Sequence, residues 1–162
     1  MEWIPGALYF IQDAFFNKVQ DPFLMRNYKE SKRPHYFAVK DKKTGLYWMI
    51  PCSSKGEKYE RIIEKRCQRN MRTDILKIVV IQDKKMALIL QDMFPVSEVY
   101  IEKPYIRGGQ IMRVADRKVF DDIQRAANRV IGLIRRNVWL AKTQPDALKI
   151  EKLMLEEIQK SQ

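Results

Sequence analysis

Residues 34–58 read Pro34-His35-Tyr36-Phe37-Ala38-Val39, a turn at Thr44-Gly45, Tyr47-Trp48-Met49-Ile50, and then Pro51-Cys52-Ser53-Ser54-Lys55-Gly56-Glu57-Lys58. Two runs rich in aromatic and β-branched residues around a glycine-bearing turn predict a β-hairpin. Pro34 marks its entry, because proline turns the residue before it away from helix. The hairpin hands a polar, basic, hydroxyl-bearing turn to the start of a helix. The only histidine of the chain, His35, stands at its other end. Such an arrangement could handle a phosphate.

Working outward, Leu8-Tyr9-Phe10-Ile11 suits a buried strand, and Asp13 can cap a helical turn in which Phe15, Phe16 and Val19 pack inward. Residues 55–72 have a helical period, with Tyr59, Ile62, Ile63 and Cys67 on one stripe and Glu60 and Glu64 punctuating a basic opposite face. A second hairpin is expected from 74–83 and 86–90 around Asp83-Lys84-Lys85, and one more strand from 96–102, after which the sheet ends near Pro104 and Gly108-Gly109. Over 116–140 the apolar residues Phe120, Ile123, Ala127, Val130, Ile131, Ile134 and Val138 form a long helical stripe. Thr143-Gln144-Pro145-Asp146 breaks it, and 147–159 resumes a helix. The fold class that follows is α+β, a small, strongly curled antiparallel sheet with helices packed against it, in a single domain spanning 1–162.

The totals agree with one core and a polyanionic partner. The chain has 162 residues, 46% of them hydrophobic, and 31 Lys and Arg oppose 20 Asp and Glu for a net charge of +11. Lysine and arginine bind nucleic acid with release of its counterions, so such an excess favours RNA or DNA. No apolar run approaches the roughly 20 residues that span a bilayer, and the first residues lack the basic and apolar segments of a secretory signal. Two cysteines and one histidine fit neither a disulfide framework nor a zinc site. A reduced, cytoplasmic protein without metal or cofactor is expected.

Ser54, with Glu57 three residues on, fits a capping box. If Ser54 begins the helix, Lys58, Arg61, Lys65 and Arg69 follow on its stripe, and hydroxyl, cations and the positive end of the helix dipole face one region. His35 has the one side chain whose ordinary pKa lies near 6.5, which suits proton transfer. It also shares a strand face with Phe37 and Val39, which equally suits a histidine bonded to backbone. Arg125 and Arg129 read as solvated surface with a secondary role in RNA contact, and Tyr28, Tyr36, Tyr47 and Trp48 could stack unpaired bases or fill the core. If His35, Ser54 and the cations meet, they can promote attack of an RNA 2′-hydroxyl on its own phosphate. Ser54 would place an oxygen, His35 would move a proton, and Lys55, Lys58 or Arg33 would hold charge. Walker-type loops and nucleophile elbows are absent from the sequence.

At these residues the chain resembles the toxins of type III toxin-antitoxin systems, most of all their CptN branch. The likeness is carried by Asp21-Pro22-Phe23-Leu24-Met25, by Arg33-Pro34-His35-Tyr36 through Tyr47-Trp48-Met49-Ile50-Pro51-Cys52-Ser53-Ser54-Lys55, by Gln91-Asp92-Met93-Phe94-Pro95 and by Thr143-Gln144-Pro145-Asp146. It implies a fold related to the barrel-like MazF and Kid toxins and an endoribonuclease that leaves 2′,3′-cyclic phosphate without a metal. It also implies an antitoxin RNA of pseudoknot repeats that the toxin processes, a closed ring-shaped protein–RNA assembly, and cellular or phage mRNA as substrate. The ToxN and AbiQ branches carry Thr-Ser-Pro-Lys at the strand-to-helix turn. The matching run here is Ser53-Ser54-Lys55-Gly56, so the resemblance implies Ser54 as the key serine, with Lys55 and Lys58 standing in for the lysine. It implies Tyr28 as a substrate contact; Lys32, Arg33, Tyr36 and Ser53 are further candidate RNA contacts. Two other readings are a non-catalytic RNA-binding module and a MazF-like toxin restrained by a protein.

Overall fold

The computed structural model describes residues 2–28 and 30–162. In chain order, strand β1 (Leu8–Ile11) leads into helix α1 (Asp13–Val19), and the first hairpin is β2 (Pro34–Lys40) and β3 (Tyr47–Ser53). Helix α2 (Gly56–Gln68) is followed by a hairpin of β4 (Leu76–Ile81) and β5 (Lys84–Ile89). Short strands β6 (Phe94–Val96), β7 (Ile101–Pro104), β8 (Ile106–Arg107) and β9 (Gln110–Ile111) come next, then the long helix α3 (Arg117–Arg135) and helix α4 (Ala147–Lys160). Seven strands form one antiparallel sheet in the order β4-β5-β3-β2-β1-β7, with β6 paired to the first half of β3; β8 and β9 pair separately.

The hairpin of β2 and β3 lies between two cores. Tyr36, Ala38, Trp48, Ile50 and Cys52 face one of them, with Ile123, Ala127, Val130 and Ile134 of α3 and the apolar side of β4 and β5. Phe37, Tyr47 and Met49 face the other, with Phe15 and Phe16 of α1 and Ile150 and Met154 of α4. Alternation along a strand sends successive side chains to opposite faces; here both faces are covered, so β3 is buried throughout. Phe15 stacks on Phe94 at 5.2 Å, an aromatic contact worth about 1 kcal/mol beyond its buried area. Gln124 ties α3 to β2 by accepting from the Tyr36 hydroxyl and donating to the Ala38 carbonyl.

Among the described residues no ladder joins β4 to β7, so the curled sheet is open. Side chains bring its two ends together instead: Lys84 Nζ donates to the Tyr105 hydroxyl at 3.1 Å, and Arg107 donates to the Gln82 carbonyl at 2.7 Å.

Several expected details differ. Gln12, not Asp13, precedes α1, and the Asp13 carboxylate accepts from Asn27 instead of capping. The second hairpin turns at Gln82-Asp83, both with positive φ as a two-residue type I′ turn requires; Lys84 and Lys85 therefore belong to β5. The strand expected over 96–102 breaks at a 3-10 turn, Glu98–Tyr100, between β6 and β7. The sheet is followed by a further small hairpin around Gly108-Gly109, which supply the positive φ of its turn. Helix α3 stops at Arg135, which leaves Val138 exposed, and Cys67 lies on the exposed side of α2. No helix of the described residues is long and apolar enough to cross a membrane.

Candidate functional site

Strand β3 delivers the site and α2 receives it. Helix α2 begins at Gly56 with Lys55 as its N-cap, and no side chain caps it. The expected capping box is therefore absent. It is Ser53, buried, whose Oγ accepts from the Lys55 amide at 3.2 Å. That bond closes the turn and leaves Ser54 exposed, one residue before the cap. The first amides of a helix have no partner within it, so the head of α2 presents free N–H donors beside Ser54. Gly56 is needed here because a Cβ would lie 2.7 Å from Lys85 Cγ, so the head of α2 presses directly on β5.

Ser54 lines two adjoining clefts. One, of about 410 Å³, is walled by Lys55, Gly56, Glu57, Lys58, Arg61 and Lys85. Four of its side chains are cationic; Lys85 is paired to Glu60 at 2.7 Å. The other, of about 570 Å³, is lined by Ser54 and Met86, by Phe10 and Tyr105, and by Tyr28, Lys32, Lys84, Lys103 and Glu102. The Phe10 and Tyr105 rings pack 5.2 Å apart, and Lys32 is paired with Glu102. A polyanion would find cationic side chains in both clefts that Ser54 lines, where phosphate contacts add affinity roughly in proportion to their number.

The sequence-predicted residues divide sharply. Ser54, Lys55, Lys58, Arg61, Tyr28 and Lys32 meet at the two clefts. Lys65 and Arg69 continue the exposed basic face of α2 beyond them. Arg125 and Arg129 lie elsewhere, on the exposed side of α3, where Arg129 pairs with Asp74 at 2.6 Å and Arg125 approaches Asp122. Tyr36 is wholly buried, its phenol pushed up by burial and bonded to Gln124, so it cannot stack on RNA. Arg33 is 8% exposed and acts as a strut: its guanidinium donates to the Cys52 carbonyl at 2.8 Å and to Arg26 at 3.2 Å, and covers the Tyr28 ring at 4.4 Å. It braces the Tyr28 loop against the end of β3 and is not a surface cation.

His35 requires the largest correction. It is 0% exposed, enclosed by the rings of Phe16 and Phe94 at 5.9 and 5.5 Å. Its Nδ1 lies 2.9 Å from the Arg33 carbonyl, an acceptor, so Nδ1 carries the proton and Nε2 is a bare, unpartnered nitrogen. Burial, reinforced by the nearby Arg33 charge and only partly opposed by the backbone bond, lowers its pKa to about 3. A neutral imidazole sealed between aromatic rings cannot exchange a proton with bound RNA. The second meaning its strand position allowed, a histidine bonded to backbone, is the one the fold uses.

Phe10, Lys84, Lys85, Lys103, Glu102 and Tyr105 were missed. A period of two along β5 separates Lys84 from Lys85 and would have sent them to opposite faces once the turn was set at Gln82-Asp83. Phe10 and Tyr105 reach the cleft through the curl of the sheet, for which no local signal exists. Among the described residues no three His, Cys, Asp or Glu side chains gather as metal ligands would.

This fold, an open, curled antiparallel sheet with α3 and α4 packed on its two faces, is shared with solved structures from type III toxin-antitoxin systems. A structure of AbiQ, a lactococcal anti-phage endoribonuclease belonging to the type-III toxin-antitoxin system, matches with a TM-score of 0.72 at 11% identity, over 94% of this chain and 98% of that one. A second, from a study of bacterial type III systems in which a non-coding RNA pseudoknot selectively inhibits the toxin, matches at 0.61 and 16% identity, over 94% and 97%. No family model and no curated protein matches the sequence.

Proposed function

We infer that residues 1–162 are a single endoribonuclease toxin domain of a type III toxin-antitoxin system, working in the bacterial cytoplasm. The observation that carries this reading is the position of Ser54, an exposed hydroxyl at the uncapped head of α2 and on the wall of both basic clefts. The whole-chain likeness to a solved anti-phage endoribonuclease of such a system supports it.

The reaction is attack of a 2′-hydroxyl on the adjacent phosphorus, giving a 2′,3′-cyclic phosphate and a free 5′-hydroxyl. It needs no metal, because the chain itself supplies donors to the crowded phosphorane. The free amides at the head of α2, with Lys55, Lys58 and Arg61, hold the phosphoryl charge, and Ser54 donates to a non-bridging oxygen. Tyr28 and Lys32 bind the strand as it crosses the larger cleft. DNA, which lacks the 2′-hydroxyl, survives. The antitoxin is an RNA of pseudoknot repeats that occupies the same clefts, joined with the toxin in a closed ring, and mRNA of cell or phage is the substrate.

Incubation of the protein in excess EDTA with a long mixed-sequence RNA tests this reading. Discrete cuts with 2′,3′-cyclic phosphate ends, lost in Ser54→Ala, are expected. RNA that is bound but left intact by wild type and variant alike would replace the nuclease by an RNA-binding module.

A further inference from the structure

With His35 sealed in the core, the departing 5′-oxygen needs another proton donor, and the larger cleft holds one. Tyr105 lines it together with Ser54. Its main chain is fixed at both groups, the amide donating to the Leu8 carbonyl and the carbonyl accepting from Met112, each at 2.8 Å. Its ring packs on Phe10. Its hydroxyl accepts from Lys84 Nζ at 3.1 Å, and Lys84 comes from the far end of the sheet, on the β5 tip beside the head of α2. The contact that joins the two ends of the open sheet thus places a phenol, bonded to an ammonium, in the cleft that Ser54 lines. Lys32, another donor there, is engaged by Glu102.

We propose that Tyr105 is the catalytic acid of the RNA cleavage inferred above, with Lys84 as its positioning and charge-stabilising partner. The inference rests on that nuclease reading. The 2′-oxygen forms its bond to phosphorus and releases its proton to water; the bond from phosphorus to the 5′-oxygen breaks, and that oxygen takes the phenolic proton. The phenolate is held by the Lys84 ammonium until water returns a proton. The accepting alkoxide is far more basic than the phenolate, so transfer is downhill as the bond breaks. Lys84 supplies a charge-assisted hydrogen bond to the phenolate and stabilises it.

The test compares two RNAs cut at the site mapped with the wild-type protein, one natural and one with sulfur replacing the bridging 5′-oxygen. A thiolate departs without a proton. Tyr105→Phe keeps the ring packing and is expected to slow cleavage of the natural RNA by ~10²-fold or more, while cutting the sulfur RNA within about tenfold of wild type. Lys84→Met, which keeps the stem over the ring, should show the same pattern with a smaller loss. Equal loss on both RNAs, or no loss on the natural one, overturns the assignment and leaves the pair a structural clasp. A wild-type protein that cuts neither RNA overturns the nuclease reading, and the acid assignment falls with it.

Discussion

The two ends of one hairpin have opposite fates. His35 and Pro51 are direct partners across β2 and β3, and Ser54 follows three residues later. Yet His35 is sealed between Phe16 and Phe94 while Ser54 stands in solvent between two basic clefts. The difference lies in what each backbone does next. At His35 the chain is locked in a central strand whose two faces are both covered, so its ring must enter a core. At Ser54 the ladder has ended, Ser53 satisfies the turn, and the next side chain is released outward. A side chain just past the last pair of a ladder is thus free to face solvent, and the most titratable residue of the sequence is packed in a core.

Substitutions at the two ends should separate these roles. The largest effect is expected for Ser54→Ala, which should slow cleavage by ~10²-fold or more, as loss of an oxyanion donor does, with a thermal midpoint near wild type because Ser54 packs against nothing; melting and single-turnover cleavage check both. His35→Ala is expected to act the other way. Opening a cavity between Phe16 and Phe94 and stranding the Arg33 carbonyl should remove about 2–4 kcal/mol of stability, measured by urea unfolding, with cleavage per folded molecule kept.

The pH dependence of stability sharpens the contrast. The unfolded chain protonates His35 near 6.5 but the folded chain only near 3, so wild type loses stability as pH falls through that window, by on the order of a few kcal/mol at its acid end. His35→Leu should lose much of that acid sensitivity. Asp92 opposes it: burial, partly offset by Gln91 and Arg33, raises its carboxyl to about 7. The folded chain therefore keeps a proton that the unfolded chain has lost, and stability falls as pH rises from about 4 to 7. Asp92→Asn should gain on wild type over that range, in urea titrations at pH 4, 5.5 and 7. The smallest effect belongs to the outer cations: Lys58→Ala should weaken RNA binding uniformly over sequences and lower the salt slope by about 1, read from binding at several salt concentrations.

Much of the fold was legible because it is written in local period. The hairpin around Thr44-Gly45, the stripe of α3 and the break before α4 all follow from apolar spacing and turn residues within a few positions. The candidate clefts were legible on their α2 side, where Ser54, Lys55, Lys58 and Arg61 are neighbours in sequence, and at Tyr28 and Lys32. Phe10, Lys84 and Tyr105, which also line the larger cleft, are brought there by the curl of the sheet from three distant segments, and no window of sequence contains them. His35 was open to two readings because alternation assigns a residue to a face but does not say whether that face is covered.

One experiment separates a chemical role at Ser54 from a packing role at His35. Single-turnover cleavage of one mapped RNA site, normalised to folded protein, should be compared for Ser54→Ala and His35→Leu. A loss of ~10²-fold or more in the first and a near wild-type rate in the second is the predicted result. A folded His35→Leu protein that cannot cleave, beside a Ser54→Ala protein that can, would contradict it.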